Sequence, residues 1–310
     1  MDRFRTLTAA VLVLGVTTAA PPHASLLAQA PAPARTTRTA PPSADELQAI
    51  TTRGQILARY DQAGWGATDA VMALHPTEGS ITHYIARQLP DGWHVVFGRL
   101  TATRDTFLVA YEARLTTGDS VFHAAALTPP RADTGYYARA ARAIDTARAA
   151  FGPVQRPYNV AVIPATLDEW WVYMYPASTQ QGVWPLGGDE RFLVSEDGRQ
   201  IRARRRMHRT IIEYAPKPGQ HIRAYTHVAV LDDVPEDTDV LAALSRTPRA
   251  PEYVVSDDYV YRIDVDGTVK LMGTRRAILG GDHPHPSSPK QPSQQSPQQT
   301  SQPQHPSSHR

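Results

Sequence analysis

No cysteine occurs among the 310 residues. Whatever this chain folds into must hold by burial, hydrogen bonding and ion pairing, without disulfides. The same absence removes a thiol nucleophile, a lipid-modified N-terminal cysteine and any cysteine-ligated zinc or iron–sulfur site. The constraint is sharp because the start reads as an export signal. Arg3 and Arg5 precede an uncharged, mostly apolar run over residues 6–20, shorter than the roughly 20 residues needed to span a bilayer. Small residues follow, with Ala28-Gln29-Ala30 as one cleavage option and the region of Ala24 as another. The expectation is a signal peptide over 1–30, a Pro/Ala-rich linker over 31–42, and a periplasmic or secreted protein with no transmembrane span in its mature chain. Without disulfides, its core must be large enough to stand alone.

Charge is close to even, with 32 basic and 30 acidic residues for a formal +2. Overall charge therefore argues for neither nucleic acid nor membrane, and sequence-specific nucleic-acid binding is not expected. From Gly280 the chain turns to Pro, Ser, Gln and His, including His283, His285, His305 and His309. Such a segment buries too little apolar surface to offset its ordering entropy, so 280–310 is expected to be a disordered tail.

Between these ends the pattern alternates. Ser43 and Glu46 have capping-box spacing, and Leu47, Ile50, Leu57 and Tyr60 share a helical face. Gly64 and Gly66 are expected to break that helix, leaving "ATDAVMAL" as a second short one. "GWHVVFGRL", "DTFLVAYEARL" and "DSVFHAAAL" read as strands that Pro129 and Pro130 end. A stripe of Tyr137, Ala140, Ile144, Ala147 and Phe151 marks a helix stopped by Gly152. Further strands follow, turning at Asp197-Gly198 into one long strand, "QIRARRRMHRTIIEY". A strand "HIRAYTHVAVL", a helix "PEDTDVLAALSR" and a last hairpin complete the chain. The fold class is α+β, mostly antiparallel sheet with a few packed helices. The proline pair suggests lobes over 43–130 and 131–279.

The segment 224–239, "AYTHVAVLDDVPEDTD", carries one histidine and five acidic residues. The order strand, helix, strand pair around it resembles the JAB/MPN (JAMM) metallopeptidase family. That resemblance implies a zinc hydrolase with two histidines one residue apart on a strand and an aspartate opening the next helix. Asp239 stands at the aspartate position and His227 at the second histidine. Tyr225 occupies the first histidine position and Glu236 the serine position. Glu169, Glu190 and Glu213 are all open as the assisting glutamate. A catalytic zinc needs three protein ligands, and this pattern supplies His227 and Asp239. The residues alone read as a strand–turn–helix junction, with Pro235 at the first helical position and carboxylates in the positive first turn. On that reading no cofactor is expected, zinc being the alternative.

"RQIRARRRMHR" is the second feature. Strand alternation puts Arg202, Arg204, Arg206 and His208 on one face. That row fits an anionic glycan, a lipid headgroup or an acidic protein, or it protects a sheet edge. Trp184, before "PLGGD", is a candidate cleft rim. Glycine-rich phosphate loops and a Gly-x-Ser-x-Gly elbow are absent. The expected function is exported binding or envelope-accessory work without catalysis. The alternatives are a JAMM-like hydrolase with an altered ligand set, and an anionic-polymer binder.

Overall fold

The structure, a computed structural model, describes residues 38 to 280 except 39, 167, 168 and 218. The expected signal peptide, most of the linker and the tail beyond Gly280 lie outside the described residues. The described residues form four helices and fourteen strands in mostly antiparallel sheets, an α+β fold. No helix among them is long and apolar enough to cross a membrane.

Helix α1 (Ala44–Met72) starts at Ser43, whose hydroxyl accepts the Glu46 amide at 3.1 Å. It runs unbroken through Gly64 and Gly66, against the expected break. A Cβ at Gly64 would stand 2.8 Å from the Tyr84 ring, and one at Gly66 would stand 2.9 Å from Phe122. The glycines let the sheet approach the helix; they do not end it. "ATDAVMAL" is consequently the last part of α1.

Strands β1 (His83–Leu89), β2 (Gly92–Leu100), β3 (Phe107–Thr116) and β4 (His123–Asp133) form an antiparallel meander. Pro129 and Pro130 lie inside β4 and do not end it. The β3–β4 register shifts between Val109 and Tyr111, stepping from Arg131 to Ala126, so both prolines fall in an irregularity of an edge strand, where a missing N–H is tolerated. Helix α2 (Tyr136–Phe151) buries Tyr137, Ala140, Ile144 and Ala147, as its stripe predicts.

After α2 come β5 (Tyr158–Thr166), β6 (Glu169–Pro176), β7 (Trp184–Gly187), β8 (Glu190–Ser195), β9 (Ile201–Arg206) and β10 (Ile211–Tyr214). They make a sheet of order β5-β6-β8-β9 and a separate β7–β10 pair. The expected long strand is thus two strands. Between them Met207 is buried and donates to the Asp189 carbonyl, while His208 bonds the Asp189 carboxylate. These bonds turn the chain out of the β9 direction.

The last sheet holds β11 (Tyr225–Val228), β12 (Glu252–Val255), β13 (Tyr259–Ile263) and β14 (Val269–Thr274). Helix α3 (Asp237–Ser245) is the crossover that makes β11 and β12 parallel, and α4 (Arg275–Leu279) closes the described chain.

Two apolar clusters result, and α1 serves both. Leu47 and Ile50 pack with Val240, Val254, Tyr261 and Ile263, while Leu57, Tyr60, Ala67 and Val71 pack with the first two sheets and α2. Gly54 marks the crossing of α1 and α3. A Cβ there would lie 2.3 Å from the Val240 Cβ and 2.7 Å from the Asp237 carbonyl oxygen. Gly54→Ala gains about 1 kcal/mol of helix propensity but overpacks against backbone, at about 1–3 kcal/mol. We predict a net loss, read as a lower urea midpoint. A raised midpoint would contradict this crossing.

Candidate metal centre

The centre is assembled from three separate segments. On β11 alternate residues face inward, so Tyr225 and His227 are buried while Thr226 and Val228 are exposed. Parallel pairing with β12 sets Tyr225 opposite Glu252. The Glu252 carboxylate then lies 2.7 Å from His227 Nδ1. Its other oxygen accepts from the buried Arg246 guanidinium, which lies 4.5 Å from the Tyr214 ring centroid and 4.1 Å from that of Tyr225. Tyr225, at the first histidine position of the JAMM resemblance, therefore holds Arg246 and bonds the Pro248 carbonyl at 3.1 Å.

Asp239 comes from the first turn of α3. Glu236 is the N-cap, so Pro235 precedes the cap and does not stand at the first helical position. Glu236 and Asp239 form a reciprocal capping box. Asp239 Oδ2 accepts the Glu236 amide at 2.8 Å, which leaves Oδ1 for the interior. That oxygen lies 3.0 Å from His208 Nε2 and 3.2 Å from His227 Nε2.

His208 is the residue that strand alternation assigned to the arginine row. Beyond the end of β9 it turns inward, and its Nδ1 meets the Asp189 carboxylate at 2.8 Å. The three donor atoms of His208, His227 and Asp239 lie within 4.8 Å of one another. Each Nδ1 faces a buried carboxylate. In the neutral imidazole this keeps the proton on Nδ1 and aims the Nε2 lone pair at the common point, the usual outer-shell arrangement of metal-binding histidines.

Two further observations bear on that point. His227 Nε2 and Asp239 Oδ1 are buried and make no aligned hydrogen bond among the described residues, despite their proximity. Formal charge is also uneven. Asp189, Asp239 and Glu252 bring three negative charges and Arg246 one positive charge. Two more positive charges are needed, since buried charge is tolerated only when compensated. Either two imidazolium protons or one divalent cation supplies them.

The protonated alternative is favourable without a metal. Burial opposes a charge on His227, but Asp239 and Glu252 outweigh it and raise its pKa to about 9. Burial likewise opposes His208, and Asp189 with Asp239 hold it well above the usual imidazole value. Burial pushes the Asp239 carboxyl up, yet the two histidines bring it far below the usual carboxylate range.

The other members of the arginine row stay outside the centre. Arg204 bonds Glu190 through Nε at 2.6 Å, Arg206 donates to the Arg209 carbonyl, and Arg202 is exposed. Arg205, on the opposite side, bonds Glu236 at 2.6 Å and Asp232 at 2.8 Å. Asp237 is held by Arg53, Arg191 and the Tyr173 hydroxyl. Of the glutamates open as an assisting base, Glu190 is bound to Arg204 and Glu213 to Arg156.

Comparison with protein-family models, curated proteins and solved structures finds no match.

An exposed first-turn carboxylate contributes a few tenths to about 1 kcal/mol. Asp239 is 1% exposed, so Asp239→Ala is predicted to cost about 3–5 kcal/mol, the range for breaking a buried ion pair. In chelator, the stabilisation from His227 is full below its unfolded pKa of about 6.5 and is lost as pH rises through about 9. His227→Gln should flatten that part of the pH–stability curve. Urea unfolding across pH reads both effects, and an Asp239→Ala loss under 1 kcal/mol would contradict them.

Proposed function

We propose that this chain is a metalloprotein with one divalent-metal centre, ligated by His208 Nε2, His227 Nε2 and Asp239 Oδ1, and that the centre is of the hydrolytic kind. The carrying observation is the convergence of these three atoms while each Nδ1 is fixed by its own carboxylate. Nitrogen and carboxylate donors without sulfur suit zinc. Tetrahedral zinc with bonds of about 2.0–2.1 Å separates neighbouring ligand atoms by roughly 3.3 Å. The 3.0 and 3.2 Å spacings from Asp239 Oδ1 to the two imidazoles lie near that value, and the third pair lies within 4.8 Å.

Three protein ligands leave a position for water, the pattern of catalytic zinc sites; bound zinc lowers the pKa of that water to about 7. The wall of a cleft of about 630 Å³ includes Asp189, the partner of His208, and Thr238, the neighbour of Asp239, but none of the three ligands themselves. This reading replaces the expectation of a metal-free, non-catalytic protein. It keeps the hydrolase class implied by the JAMM resemblance but takes one histidine from residue 208. The charged start and short apolar run support work outside the cytoplasm. Arg202 and Arg206 suit an anionic glycan, a lipid headgroup or an acidic protein as partner.

Zinc-loaded protein, desalted at neutral pH, is predicted to keep one zinc per chain by elemental analysis. His208→Ala should lose it. Hydrolysis of p-nitrophenyl acetate should stop with 1,10-phenanthroline and return with zinc. Wild-type chain that retains no zinc overturns the metal reading. Zinc retained by His208→Ala assigns it elsewhere, for example to the tail histidines.

A further inference from the structure

The cleft has a second chemical feature that the metal centre does not use. Asp61 and Trp65 stand four residues apart on α1, so they share a face, and both line the cleft with Tyr175 of β6 and Trp184 of β7. Asp61 Oδ1 accepts the Tyr175 hydroxyl at 2.6 Å, and the nearby Trp65 side chain also favours the charged carboxylate. Both side chains are neutral. Among the described residues no cationic side chain acts on this carboxyl.

The other charged groups of the cleft are committed or exposed. Asp189 is bound to His208 and Arg246 to Glu252. Arg59, Arg249 and Asp266 are solvent-exposed, where charge is screened. Asp61 is therefore the half-buried cleft carboxylate that lacks a cation among the described residues; Tyr175 and Trp65 act on it directly, and Trp184 lines the same cleft. Trp65 is 43% exposed, so one indole is open to a ligand.

We infer that this cleft binds an organic ammonium group, held by the Asp61 carboxylate and by the rings of Trp65, Tyr175 and Trp184. A carboxylate supplies the opposite charge, and aromatic faces attract cations and shed water from the alkyl substituents. An inorganic cation would gain little from indole rings, and an anion would meet Asp61. Burial raises the Asp61 carboxyl to about 6, so it is charged at neutral pH. If the metal centre hydrolyses a substrate, this pocket takes that substrate's amine end; that link rests on the metal reading, whereas the binding does not.

The test is a fluorescence titration of the full chain with tetramethylammonium and n-butylammonium at constant ionic strength, with neopentanol and butyrate as neutral and anionic controls. Both ammonium probes are expected to perturb tryptophan emission saturably and to bind more tightly as pH rises through about 6. Asp61→Asn keeps an acceptor for Tyr175, so its urea midpoint should hold while ammonium affinity falls roughly tenfold or more. Trp65→Ala should also weaken binding. Stripping metal from the wild-type chain with a chelator should leave ammonium affinity unchanged, which separates failure of this site from failure of the metal centre. The inference is overturned if neopentanol or butyrate binds as tightly as the ammonium probes, or if a folded Asp61→Asn binds them unchanged. It is also overturned if neither ammonium saturates by roughly 50 mM, far above the ~1 mM of weak recognition.

Discussion

The acidic turn that opens α3 must be neutralised, and the rest of the structure is arranged around that need. Asp232, Asp233, Glu236, Asp237 and Asp239 are all buried within eight positions. Buried carboxylates require cations or hydrogen-bond donors. The cations for this turn come from far along the chain: Arg53 from α1, Arg191 from β8, Arg205 from β9, and His208 and His227 around Asp239. The same contacts tie α1, the second sheet and the last sheet to α3. In a chain without disulfides, this hub carries the cross-linking between distant segments.

A buried ion network is stable only when complete, because removing one partner strands the other in a medium that solvates it poorly. This gives the centre its two charge states. With protons on both imidazoles, Asp239 is shared between two cations. With a divalent ion, neutral imidazoles and the same carboxylate become ligands, and net charge is conserved. Asp189 and Glu252 serve both states, as partners of an imidazolium or as acceptors that orient a neutral ring. A separate cleft, lined by Asp189 and Thr238 but by none of the three ligand residues, carries the aromatic surface and the Asp61 carboxylate.

Local features were legible in the sequence and long-range ones were not. The Ser43 cap, the α2 stripe and strands β2 and β3 follow from periodicity and end signals, whereas β1 is not among the expected strands. Gly64, Gly66, Pro129 and Pro130 misled because breaker residues also serve close packing and edge irregularities, which depend on a neighbour absent from the local sequence. His227 and Asp239 could be singled out as ligand types. His208 could not, because strict strand alternation carried it past the end of β9 into the arginine row. The buried apolar Met207 just before it is the signal that the row ends there. Asp237 and Arg53 are 184 positions apart, and no spacing rule reaches that far. Nor does one pair Asp189 with His208 or Glu252 with His227.

The central claim is that His208, His227 and Asp239 bind one metal ion together. X-ray absorption at the zinc edge of the zinc-loaded chain tests it most directly. The account predicts a nitrogen/oxygen shell at about 2.0–2.1 Å with outer-shell scattering from two imidazoles, and loss of one imidazole in His208→Ala. An all-oxygen shell without imidazole scattering, or a spectrum unchanged in that variant, would contradict it.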